Sequence, residues 1–307
     1  MKSFRPKFAW FDGKFVRLEE AKVPVMTHAI HYGTSVFEGL RGYWNSKNLN
    51  IFRLDDHIKR FRNSGKIYSI NLKFTNREIS YAIIDLCKKN NARQSCYIRP
   101  FYFVGEYGIN LNVTMKAPTH AAIVMFGFGD LFNKDGINVG ISSWRRIHDV
   151  STPPLAKMGG NYLNSILATQ EAKRNGYDES ILLDHLGNVS EAPGENIFIL
   201  RRGNLITPPS SSSALEGIKK ESVIEIARNQ GYEVIEREMP RTELYLADEV
   251  FLTGTAAEIT PVISVDGKKI GGGMVGSVTK QISSTYSDIT MGKNEKFSHW
   301  ITAVYYV

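Results

Sequence analysis

Pro154-Leu155-Ala156-Lys157-Met158-Gly159-Gly160-Asn161-Tyr162 places one lysine just before two glycines and the start of a helical pattern. A lysine that acts as a nucleophile must lose its proton near neutral pH, and neighbouring glycines let a bound group approach the backbone closely. Standing alone, Lys157 reads as a solvated loop residue. The stretches on either side of it change that reading.

Downstream, a helix is expected over 162–175, stopped by Gly176. A hairpin follows over 181–184 and 188–190 around Gly187, then a strand over 196–200 and a Pro/Ser loop over 208–213. A helix over 218–229 and a strand over 249–253, leading into Gly254-Thr255, complete this half. Upstream, 137–143 reads as a strand, and 127–136, with three glycines and two aspartates, as a linker. Further back, strands are expected over 96–104 and 121–126 and a helix over 55–68. Thr75-Asn76-Arg77-Glu78 is a capping box ahead of a second helix through Lys89, and 10–16 is a hairpin around Asp12-Gly13.

The 307 residues exceed a comfortable single core and predict two domains: 1–133, a linker over 134–138, and 139–307. Helices alternating with short strands give an α/β or α+β class, and the Asp-Gly hairpin argues against a purely parallel sheet. The net charge of +7 is spread over pairs such as Lys88-Lys89 and Arg201-Arg202. Such scatter predicts a basic surface that attracts anions rather than a nucleic-acid footprint. Cys87 and Cys96 form neither a disulfide framework nor metal spacing, which fits a reducing cytoplasm. Residues 1–10 are basic without a following apolar run, so neither a signal peptide nor a membrane span is expected.

Several side chains have the right chemistry to assist Lys157. Glu191 and Glu195 lie in Ser190-Glu191-Ala192-Pro193-Gly194-Glu195-Asn196. They read as surface carboxylates, as a hydrolytic pair, or as the single carboxylate that a pyridine nitrogen requires. Ser213 to Lys219 lead into a helix whose N-terminus suits a phosphate, and Thr253-Gly254-Thr255 offers a second side. Arg60 adds a fork-shaped cation, although Lys59 and Arg62 beside it favour a solvated helix face. Tyr97 and Arg99 share a strand face and suit a substrate carboxylate, while Pro100 suggests that this strand is an edge. His28 and His31 are spaced like metal ligands but have no acidic or cysteine partner nearby, so no metal is expected. A lysine for a Schiff base, a carboxylate and a phosphate cradle are together what pyridoxal 5'-phosphate (PLP) needs.

The long motifs carry a resemblance that covers nearly the whole chain. They are His31 to Gly39, Tyr97-Ile98-Arg99-Pro100, Lys157 to Tyr162, Ser190-Glu191 through Phe198, and Gly254 to Val262. In this order they resemble the class IV aminotransferases, the fold-type IV PLP enzymes, and within them the branched-chain amino acid aminotransferases. The resemblance implies a small N-terminal α/β domain and a larger C-terminal domain with a pseudo-barrel. It implies Lys157 as the catalytic residue, bound to PLP. Arg60, Tyr162, Glu191, Leu215, Gly217, Ile218, Lys219 and Thr255 would hold the cofactor. Tyr32, Phe37, Gly39, Tyr97, Arg99, Leu111, Phe128, Thr255 and Ala256 would bind substrate, with Tyr32 and Leu111 reaching into a partner subunit. The implied reaction moves the amino group of L-leucine, L-isoleucine or L-valine to 2-oxoglutarate in a cytoplasmic homo-oligomer. A D-amino-acid or (R)-amine transaminase of the same fold is the alternative. Two readings from other classes are a basic RNA-binding protein and a two-carboxylate hydrolase using Glu191 and Glu195. Pro193, Glu216, Lys219, Phe128 and Leu131 depart from the residues usual in the family.

Overall fold

The computed structural model describes residues 4–305, which divide into two units. The first runs through Gly129 and adds Ala156–Gly160 and the residues from Asp288 onward; the second comprises Asp130–Leu155 and Asn161–Ser287.

In the first unit the strands lie side by side in the order Ile301–Ala303, Leu49–Phe52, Leu40–Trp44, Cys96–Val104, Thr119–Gly127, Phe8–Phe11 and Lys14–Arg17. Ser35–Phe37 also pairs with Cys96–Val104, and the pairings of this sheet are antiparallel. The hairpin at Asp12-Gly13 forms as expected: Phe11 faces Lys14, and both turn residues take positive φ. The capping box also forms, with Thr75 and Glu78 capping each other's backbone at the start of Asn76–Lys89. Leu40–Trp44 and Leu49–Phe52 leave no alternating signature in the sequence because they are buried along almost their whole length.

Pro100 does not mark an edge. Cys96–Val104 lies inside the sheet, with Thr119–Gly127 on one side and both Leu40–Trp44 and Ser35–Phe37 on the other. The proline fits because its carbonyl accepts from the Glu38 N–H at 2.9 Å, so its missing N–H faces the gap between those two shorter strands.

The helix Leu54–Ile67 carries Arg60 and buries Leu54, Ile58 and Phe61. It sits directly on the strand Cys96–Val104: the Tyr102 hydroxyl donates to the Phe61 carbonyl at 3.2 Å, and a Cβ on Gly65 would overlap that hydroxyl.

The second unit holds a nine-stranded sheet that curls as a half-barrel. Most of its pairs are antiparallel, but Ile137–Arg145 runs parallel to both Glu179–Leu183 and Glu258–Val265, and Asn204–Thr207 to Val234–Glu236. The mixed class expected from the sequence is the one observed. The helix Tyr162–Arg174 packs against Ile137–Arg145 and Glu179–Leu183, burying Ser165, Ala168 and Ala172. The helix Ile218–Asn229 packs on Glu249–Gly254, in whose core Phe198 and Phe251 stack at 5.1 Å.

Gly65→Ala drives a methyl into the Tyr102 hydroxyl and lifts the Arg60 helix off its sheet. The expected cost is about 2 kcal/mol, read as a lower midpoint in urea unfolding.

Candidate active site

Lys157 belongs to the first unit, although the chain on both sides of its short segment belongs to the second. That segment is zipped onto the strand Ser35–Phe37. The Phe37 N–H donates to the Lys157 carbonyl at 3.1 Å, Val36 and Met158 form an antiparallel bridge, and Gly160 donates to the Gly33 carbonyl at 3.2 Å. The Lys157 N–H donates to Ser64 Oγ at 3.0 Å, tying the segment to the Arg60 helix as well. The side chain is half-buried, with Nζ 5.0 Å from the centre of the Phe37 ring. A backbone fixed at so many places does not belong to an ordinary loop lysine.

Arg60 is not on a solvated face. Its Nε and Nη2 donate to the two oxygens of Glu38 at 2.6 and 2.9 Å, and His57 Nδ1 lies 2.9 Å from the same carboxylate. Glu38 is fully buried. Burial alone would push its carboxyl up. The Arg60 charge and the hydrogen bonds from His57 and Arg60 together outweigh burial and hold it well below the ordinary carboxylate range. The fork-to-carboxylate pairing fixes the plane in which the guanidinium meets any anion.

Side chains alternate across strands, so Phe37 and Gly39, which flank Glu38, face the other side of the sheet. There the Tyr97 hydroxyl fills the space that a Cβ on Gly39 would need. Arg99 donates to that hydroxyl at 3.1 Å and stacks 4.5 Å from the Phe37 ring centre, and Phe128 leans on Tyr97 at 5.4 Å. Phe37, Gly39, Tyr97, Arg99 and Phe128, all expected substrate residues, therefore share one face of the first sheet. Tyr32 and Leu111 are exposed instead, as are Val25, Ile30 and Ile109, and the Tyr32 hydroxyl donates to the Ile109 carbonyl at 3.4 Å.

In the second unit Glu191 and Glu195 are both buried, which overturns their reading as surface carboxylates. Glu191 Oε1 lies 2.8 Å from Arg146 Nε, and its Oε2 accepts from Asn196 Nδ2 at 3.1 Å and from the Leu215 N–H at 3.0 Å. The same Asn196 amide donates to the Leu215 carbonyl at 2.9 Å. Leu215 is thereby held on both its backbone groups. Gly217 is the N-cap of Ile218–Asn229 and has no side chain with which to cap it. Thr255 and Ala256 form the turn between Glu249–Gly254 and Glu258–Val265, and Tyr162 opens the helix that follows Lys157. The Lys219 ammonium does not extend away from its helix start: it is buried 4.0 Å over the Tyr286 ring.

Sequence reading missed Arg146, His57 and the structural role of Glu38. Arg146 had one signal, as the second of a basic pair at the end of a strand buried at Ile137 and Val139. Glu38 lies within the motif from His31 to Gly39, but nothing in that motif names its partners. Glu195 has its Oε2 turned back to the Gly194 N–H at 3.1 Å, so the two carboxylates are engaged separately. His28 bonds Thr34 and the Asn110 carbonyl, His31 bonds the Val25 carbonyl, and no cluster of three or more metal-binding side chains occurs among the described residues.

The residues fit PLP. Buried hydroxyls of Ser190, Ser213 and Thr253 have no hydrogen-bond partner among the described residues. They are a chain neighbour of Glu191, a residue of the loop that leads to Gly217, and the cross-strand partner of Asn196. A polar, anionic group is what such a set lacks.

The class IV aminotransferase family matches residues 35–265. The branched-chain-amino-acid aminotransferase of Salmonella typhimurium is 44% identical over 99% of each chain. The branched-chain aminotransferase of Thermoproteus uzoniensis, solved with norvaline, superposes with a TM-score of 0.95 at 44% identity, covering 98% of this chain and all (100%) of that one. The T.th. branched-chain amino acid aminotransferase, complexed with N-(5'-phosphopyridoxyl)-L-glutamate, gives a TM-score of 0.94 at 41% identity, covering 98% and 99% of the two chains.

Glu38→Gln leaves Arg60 and His57 without their buried counter-charge, at an expected cost of about 3 kcal/mol at pH 7. Because the folded carboxyl titrates below its unfolded value, the wild-type advantage is complete above about pH 4.3 and is lost as pH falls through the lower folded value. Urea unfolding of both proteins from pH 7 down to pH 3 reads the advantage and the beginning of its loss.

Proposed function

The chain belongs to the class IV aminotransferases, and from that membership we propose that it moves amino groups reversibly between L-leucine, L-isoleucine or L-valine and 2-oxoglutarate. The D-amino-acid and (R)-amine alternative is not favoured, because relatives matched over the whole chain are named branched-chain enzymes. The cofactor is PLP, which when bound supplies the electron sink that weakens the Cα–H bond of the amino acid.

Each residue then has one task. Lys157 would hold the cofactor, and its Nζ is the group that would take the Cα proton and return it. Glu191 keeps the pyridine nitrogen protonated, and Arg146, Asn196 and the Leu215 N–H hold Glu191 in place. Tyr162 and Leu215 would hold the cofactor ring. Arg60, Thr255 and the helix start at Gly217, Ile218 and Lys219 would hold its phosphate. Thr255 and Ala256 N–H groups take the substrate α-carboxylate. Phe37, Gly39, Tyr97 and Phe128 receive its side chain, and Arg99 binds the distal carboxylate of glutamate or lies along an alkyl chain. What supports this reading most is the Lys157 segment, anchored through its own backbone to Phe37 and Ser64.

A second copy of the chain completes the unit. Ile109 and Leu111 are more than three-quarters exposed, and with Val25, Ile30 and Tyr32 they make an apolar flank suited to self-association. The helix Tyr162–Arg174 also exposes Leu163 and Ile166 while burying small residues. A reducing cytoplasm suits Cys87 and Cys96, both buried and outside any disulfide. Among the described residues no helix is long and apolar enough to cross a membrane.

Purified protein with PLP is expected to show a near-visible band that shifts with L-leucine, returns with 2-oxoglutarate and ignores D-alanine. A response to D-alanine alone would keep the fold and change the substrate. A colourless protein that binds RNA with steep salt dependence would overturn the reading. Lys157→Ala is expected to lower turnover by about a thousandfold or more with the circular dichroism spectrum unchanged. Glu191→Ala is expected to retain weak PLP binding and lose most of the rate.

A further inference from the structure

We propose that Arg41 is a positioning residue that sets the preference for aliphatic side chains by latching Phe128 against Tyr97. The inference rests on the reading of this sheet face as the side-chain wall of the substrate site.

Arg41 lies on Leu40–Trp44 directly across the ladder from Tyr97, so the two side chains rise on the same face. It is only 5% exposed. Its guanidinium stacks between the rings of Phe128, at 5.3 Å, and Tyr43, at 5.4 Å, and Nη2 donates to the Gly129 carbonyl at 3.1 Å. One cation thus grips two consecutive residues, one through its ring and one through its backbone. The grip matters because Phe128 and Gly129 lie just beyond the strand Thr119–Gly127, past the last pair of its ladder. Side-chain contacts therefore set where the Phe128 ring sits. That ring leans on Tyr97 at 5.4 Å, whose hydroxyl occupies the space over Gly39.

Arg99 is held differently. It shares Tyr97 with the latch, through the hydroxyl and the ring at 5.1 Å, but it also rests on Phe37 and touches neither the Phe128 ring nor the Gly129 carbonyl that Arg41 grips. A distal carboxylate bound by Arg99 therefore meets the latch only through Tyr97, whereas an aliphatic side chain packed on Phe128 depends on it directly. The two substrate classes should separate when Arg41 is changed.

The test compares Arg41→Met, Arg41→Lys and Phe128→Leu with the wild type, each loaded with PLP, measuring KM and kcat for L-leucine and L-glutamate. Arg41→Met is expected to raise KM for L-leucine about tenfold and KM for L-glutamate less than about twofold, with kcat within about twofold. Arg41→Lys keeps the charge over the ring and is expected to recover part of the L-leucine KM. Phe128→Leu removes the latched ring and is expected to reproduce the split even if Arg41→Met fails to fold. Equal changes for both substrates, no change, or a loss of thermal stability alone would overturn the proposal. If the wild type does not use L-leucine, the substrate reading falls as well. If it does and the split is missing, only the role of Arg41 falls.

Discussion

A carboxylate removed from water needs a partner for its charge, and Glu38 has the Arg60 guanidinium with a further hydrogen bond from His57. Much of the first unit is organised by that requirement. The Glu38 backbone meets the carbonyl of Pro100, the one residue on the facing strand that has no N–H to give. Its side chain faces the helix Leu54–Ile67, so its neighbours Phe37 and Gly39 face the opposite side. One tripeptide therefore aims a guanidinium on one side of the sheet and shapes an aromatic wall on the other. Phe37 also receives the Lys157 segment through its N–H. The Arg60 helix, the aromatic face and the Lys157 segment are thus all referred to a single short stretch of backbone.

Much of this was legible in the sequence. The helix Asn76–Lys89 declared itself through Thr75 and Glu78, the hairpin through Asp12-Gly13, and the strand Cys96–Val104 through its alternation. Local signals suffice where local geometry decides. The strands Leu40–Trp44 and Leu49–Phe52 were invisible because burial on both faces erases the two-residue period. Pro100 misled for a related reason: a proline forbids a hydrogen bond, and whether one is needed depends on where the neighbouring strands stop. Arg146 and His57 were missed because their meaning lies in a partner distant in sequence, which no spacing reveals. Motif order supplied the remainder, since Lys157, Glu191 and Thr255 mean little one at a time.

The departures from the family's usual residues gain physical content in the structure. Lys219, which reads as an added positive charge for a phosphate, is spent on the face of Tyr286. Phe128 sits where one guanidinium and one phenol bracket it.

The first sheet closes with Ile301–Ala303, paired to Leu49–Phe52, and its unit receives Ala156–Gly160 from the middle of the chain. Synthesis from the N-terminus therefore delivers every residue of the second unit before the last strand of the first is available. The unit that begins the chain is the one that must wait. Its early strands and helices lack one edge strand on the ribosome until Ile301–Ala303 emerges, whereas the unit made later has all of its strands sooner. The order of completion is thus the reverse of the order of translation, although the lysine segment meets its anchors at Gly33, Phe37 and Ser64 as soon as it is made.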